Sequence, residues 1–135
     1  MANEAVIVQL FPEENAKEFT CASGTAIAKG TILKLAEPRT ASASTAADVF
    51  AGIAAAAKAA NDDATTIAAH TRGIFDLTTN IGSTITAGMM VSLSGANLIK
   101  AAVAAELLTG AAFGKALETS AKGTQEVIEV LVGGC

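Results

Sequence analysis

The sequence predicts a mainly β fold with at most one or two short helices, and three observations carry that expectation. Short apolar alternations separated by turn residues recur along the chain, the pattern of strands whose side chains point in turn to two faces. An internal repeat lays the second half of the chain on the first. The segment of highest helix propensity, "GIAAAAKAANDDATT" at residues 52–66, lies inside that repeat and takes a strand's place in it.

The first extended segment sets Val6, Val8 and Leu10 on one face and Ile7, Gln9 and Phe11 on the other. Pro12 ends it, because proline has no N–H to give to a sheet ladder. A polar loop over residues 13–18 leads to extended chain at residues 19–22. There the repeat begins: Ile27, Gly30, Leu33 and Leu35 match Ile85, Gly88, Val91 and Leu93, every pair 58 positions apart. In both copies a glycine turn opens a half-buried strand, with Lys34 or Ser92 on its opposite face. The second copy continues through the hairpin signal Ser94-Gly95-Ala96-Asn97 into a strand at residues 98–103.

Farther on, the halves align at an offset of 62, which implies a small insertion: Gly52 meets Gly114, Ala54 meets Ala116, and Ala59 meets Ala121. The turn Asn61-Asp62-Asp63 falls on Gly123-Thr124-Gln125. After it comes "EVIEVLV", residues 126–132, a strand by its β-branched content. Its counterpart is residues 65–71, with Thr65, Ile67, Ala69 and Thr71 on one face and Thr66, Ala68, His70 and Arg72 on the other. Ala and Lys favour helix at residues 54–60, but propensity yields to context, and Asn-Asp-Asp before Thr-Thr-Ile is a poor second half for a helix. Strand, turn, strand is the expectation there. Residues 81–87 and 104–108 leave room for short helices.

A chain of 135 residues is the size of one domain. It is 51% hydrophobic with no Trp, no Tyr and five Phe, so its core is built of small side chains. At roughly 25 cal/mol per Å² of apolar surface, alanine offers little, and burial between subunits would offset that shortfall. Mean hydropathy is +0.47, yet no run approaches the ~20 apolar residues of a bilayer span, so no membrane partner is expected. The N-terminus lacks the basic segment of a signal peptide, which places assembly in a cytoplasm. A formal charge of -4, with nine basic residues scattered, argues against nucleic acid. Cys21 and Cys135 lack metal or redox spacing. Cys21 reads as a buried thiol, and Cys135, after Gly133 and Gly134, as either a coupling handle or a flexible tail.

Candidate chemistry is thin. "TGAAFGKAL", residues 109–117, falls short of a phosphate-binding loop, because Gly110 and Gly114 enclose three residues and Ala116 stands where a hydroxyl must hold Mg²⁺. His70 is the only histidine, which leaves a His-based metal site or His-Cys pair without local support. Asp62-Asp63 and Glu13-Glu14 are paired carboxylates, yet adjacent acids in turns mostly hydrate the turn. Neither enzyme activity nor a cofactor or metal is expected.

Together, "AIAKGTILKL", "VFAGIAAAAKAANDDATTIAAHTRGIFDL", "ITAGMMVSLSGANLIKA" and "FGKALETSAKGTQEVIEVLV" resemble the small capsid decoration, or cement, proteins of tailed bacteriophages. Residues 50–77 in particular are similar in layout to the head decoration protein of lambdoid phages. The resemblance implies a compact β-tulip-like barrel or sandwich at residues 20–132, an extended N-terminal arm and loop at residues 1–19, and a flexible tail at residues 133–135. It further implies a homotrimer on the outer surface of the virion capsid, a structural protein that binds the major capsid protein of the expanded head and holds capsomers together against internal DNA pressure. The arm residues that would add to a capsid sheet are Val6, Ile7, Val8, Leu10 and Phe11. The competing expectation is a phage tail or other virion surface β module that binds a host ligand. An enzyme acting on nucleic acid or sugar would instead bring Asp62, Asp63 and His70 together.

Overall fold

A computed structural model describes residues 3–10, 16–45, 49–60, 63–80, 82, 84–120 and 125–133. Its elements are β1 (Val6–Gln9), β2 (Lys17–Thr20), β3 (Ile32–Glu37), β4 (Thr40–Ala43), β5 (Phe50–Ala54), β6 (Thr66–His70), β7 (Gly73–Thr79), β8 (Met90–Gly95), β9 (Leu98–Ala101), α1 (Ala104–Thr109), β10 (Ala112–Ala116) and β11 (Val127–Val132). The mainly β expectation holds, with α1 covering one of the two segments left open to helix and one residue more. At the other, Gly82 lies in a turn and Ile85 in an isolated bridge to Ser120.

The strands close into two small barrels. The first runs β2-β4-β3-β5-β6 and back to β2. The second runs β7-β9-β8-β10-β11 and back to β7, with β1 added to β7 from outside. Each barrel is sealed by one parallel pair, Thr20 with Thr40 in the first and Thr78 with Leu98 in the second.

The repeat is thus real at the level of hydrogen-bond register. Leu33 faces Gly52 as Val91 faces Gly114, and Lys34 faces Ser42 as Ser92 faces Lys100. Ile27 bridges Lys58 as Ile85 bridges Ser120. Gly30 donates its N–H to Ala54 at 2.9 Å and Gly88 to Ala116 at 2.7 Å, both glycines at positive φ. A side chain at Gly30 would also strike the Ala5 carbonyl, 2.5 Å from its Cβ position. The shift in offset from 58 to 62 falls between β9 and β10, where the second barrel inserts α1 and the first has only a short link.

Residues 54–60 follow pattern rather than propensity. β5 ends at Ala54, the chain bends, and Lys58 makes its bridge. The Lys58 side chain is buried and donates from Nζ to the carbonyls of Ser23 and Thr25, both at 2.9 Å, tying this bend to the loop before β3. On β6, Ile67 and Ala69 point into the barrel while Thr66 is exposed, the alternation expected of it. Asn61 and Asp62 lie outside the described residues.

Each barrel has its own core. Cys21, Ile27, Leu33, Ala41, Ala51, Ala54, Ile67 and Ala69 fill the first, a set dominated by small side chains. The second is built around Phe75, Leu93, Ile99, Phe113 and Val130, and it also takes in Ile32 and Ile53 from the outside of the first barrel. Phe50 stacks on Phe113 across the junction, ring centroids 4.3 Å apart. Asn97, in the β8–β9 turn, accepts the Ile32 N–H on Oδ1 at 2.8 Å and donates its own N–H to Ser44 Oγ at 3.3 Å. The barrels are therefore joined by an apolar contact locked by a buried asparagine.

Helix α1 is held by Glu106. Its carboxylate accepts the Val103 N–H at 2.8 Å, Ser92 Oγ at 3.0 Å and Lys100 Nζ at 2.9 Å. The bond back to the residue three positions earlier is half of a capping box. Burial on its own raises the Glu106 pKa, but the bonds from Val103, Lys100 and Ser92 outweigh it and hold the carboxyl below the usual glutamate range. A depressed carboxylate pKa stabilises the fold fully above the unfolded value, about 4.3, and the contribution disappears as pH falls through the folded value. Glu106→Gln should cost roughly 1–2 kcal/mol at pH 7, in the range of charged hydrogen bonds. Urea unfolding at pH 7 and pH 3 should show the gap between wild type and variant closing in acid.

Candidate interaction surface

The β1 segment is placed by three contacts. Ala5 is buried and gives its N–H to the Gly30 carbonyl at 2.7 Å. Val6 then faces Asp76 and Ile7 faces Phe75, and after a bulge Gln9 faces Ile74. Gly73, at φ 141°, lets the end of β1 close in, since a Cβ there would stand 3.0 Å from the Gln9 carbonyl. Among the described residues β1 pairs with β7 alone, so its outer edge carries no strand.

All four β1 residues are exposed, Val6 at 59%, and Leu10 just beyond is exposed as well. The structure therefore brings Val6, Ile7, Val8 and Leu10 onto one apolar ribbon along the side of the second barrel; Phe11 lies outside the described residues. Between this ribbon and the first barrel is a cavity of about 490 Å³, lined by Glu4, Ala5, Val6, Lys29, Gly30 and Ile53 among others.

The other sequence candidates are dispersed. His70 sits beside Phe75, ring centroids 5.9 Å apart; burial, and then the charge of Lys29, push its pKa down. Asp63 is exposed at φ 57°, and no hydrogen bond or ion pair joins it to His70; Asp62, Glu13 and Glu14 lie outside the described residues. Gly110 ends α1 in the left-handed conformation, φ 80°. At Gly114 a Cβ would come within 2.8 Å of the Leu131 carbonyl, so this glycine permits β10 and β11 to pack. Cys21 is buried and unbridged, and Cys135 is outside the described residues.

Two features escaped the sequence reading. Asp76, Glu118 and Glu129 gather carboxylate oxygens within 4.8 Å of one another, because Asp76 and Glu129 are register partners on β7 and β11. Helix α1 buries none of its residues: Leu107 is 56% and Leu108 91% exposed. Spacing along the chain signals neither, since both depend on which strands meet. No protein-family model and no curated protein matches this chain.

Proposed function

We propose that the chain is a phage capsid decoration protein, which binds the outer surface of the expanded head as a homotrimer and stabilises contacts between capsomers of the major capsid protein. The observation that carries this reading is the β1 ribbon. It is an apolar strand fixed to a barrel along one edge and, among the described residues, without a strand along the other, the form that accepts or supplies a strand in β-augmentation. Main-chain hydrogen bonds to a shell sheet would supply affinity, and the half-exposed Val6, Ile7 and Val8 would supply apolar contact. Many copies on one lattice would multiply a modest affinity per site.

Co-sedimentation with expanded heads tests this. Wild-type chain should pellet with heads and raise their melting temperature. A Val6→Ser/Val8→Ser variant should bind about tenfold more weakly, a difference of about 1.4 kcal/mol. Both side chains are already exposed, so its own unfolding midpoint should stay near wild type. Equal binding by the variant would remove the ribbon from the mechanism, and failure of the wild type to bind heads would remove the function.

A further inference from the structure

The contact between the two barrels uses two different surfaces. The second barrel contributes an end, with the β8–β9 turn and Leu93 behind it; the first contributes an outer face, with Ile32, Ser44 and Ile53. Because the barrels are repeats, each of these surfaces exists twice. Among the described residues the remaining pair is unused.

The unused end belongs to the first barrel. There Arg39 holds the left-handed turn position of Asn97, at φ 51° against 58°. Leu35 stands for Leu93 and Val49 for Ala111, and the N–H of Leu35 bonds the Val49 carbonyl at 2.9 Å. Leu93 is 0% exposed and Ala111 7%, whereas Leu35 is 41% and Val49 39% exposed. The unused face belongs to the second barrel, where Met90 and Lys115 replace the buried Ile32 and Ile53. Beside it lies the exposed Met89, and the bond from the Ala102 N–H to the Met90 carbonyl at 2.9 Å sets the exposed Val103 next to this face; α1 follows, tied to β8 through Glu106 and Ser92, with Leu107 and Leu108 exposed. Glu37 and Arg39 both stand at the open end, and Glu37 is the charge there opposite in sign to Lys115 on the open face.

We infer that the open end of the first barrel, at Leu35 and Val49, docks on the open face of the second barrel, at Met90, Val103, Leu107 and Leu108, of another copy of this chain. The contact continues between chains the one already made within each. It is head-to-tail, so repetition closes a ring or grows a filament. A ring of three copies rests on the decoration-protein reading; the contact itself does not.

The test uses purified full chain, without heads, in light scattering coupled to size exclusion. Wild type should have a mass that is a multiple of 13.4 kDa. Leu35→Glu spoils the end and Leu108→Glu the face, so each variant alone should be a monomer. Mixed, they retain one good end and one good face between them and should form a one-to-one dimer, which a symmetric two-fold patch would not allow. Circular dichroism confirms folding, and Leu35→Gln replaces Leu35→Glu should the latter unfold. A monomeric wild type, variants that remain oligomeric, or a mixture that remains monomeric would each overturn the proposal. An oligomer that behaves as expected yet ignores expanded heads would overturn the capsid reading and leave this contact standing.

Discussion

Asn97→Leu should destabilise the protein by about 3 kcal/mol in urea unfolding. The residue is 0% exposed and sits at φ 58°, a conformation asparagine tolerates and leucine resists at roughly 1–2 kcal/mol. Leucine also takes away the acceptor of the buried Ile32 N–H, and an orphaned buried donor costs about 1–3 kcal/mol. Asn97→Gly separates the two causes. It relieves the backbone but not the lost hydrogen bond, so it should recover the conformational part alone. Full recovery by glycine would mean that the bond between the barrels contributes nothing.

Phe75→Ala should cost more, about 3–5 kcal/mol, the range for deleting a buried phenylalanine. The ring is 0% exposed at the centre of the second core, on the strand that pairs with β1, β11 and β9. Few neighbours can move in, because the surrounding side chains are themselves fixed by three strand pairings. Domains of this size are stable by about 5–15 kcal/mol, so the variant should lose a large share of that and melt far below wild type. A loss under 1 kcal/mol would show that the core collapses around the void.

Much of the fold is legible in the letters because it rests on short-range chemistry. The alternation at residues 6–11 gives β1, and Ser94-Gly95-Ala96-Asn97 gives the β8–β9 hairpin. The glycines at 30 and 88, with the apolar positions after them, expose the repeat, and the change of offset marks the place of α1. What stays hidden is long-range. Closure of each barrel depends on the parallel pairs Thr20 with Thr40 and Thr78 with Leu98, which no local pattern encodes. β4, "TASA", has one buried side chain, Ala41, and carries almost no apolar signal.

The interaction surfaces divide the same way. The apolar letters of β1 are plain, but its exposure follows from pairing with β7 alone among the described residues. Leu35 and Leu93 are indistinguishable as letters in the repeat. Leu93 is covered and Leu35 open because, among the described residues, only the end of the second barrel meets a neighbour. Small side chains in the first core also make sense in that light, since a barrel lined by alanine gains less from its interior and more from whatever covers its ends.

Virions separated into heads and tails on a gradient, with this chain measured in each fraction by mass spectrometry, show whether it belongs to the capsid. A capsid decoration protein should appear in the head fraction, in many copies per particle, and be released when the shell is dismantled. Recovery with tails, or absence from both fractions, would rule out the capsid role.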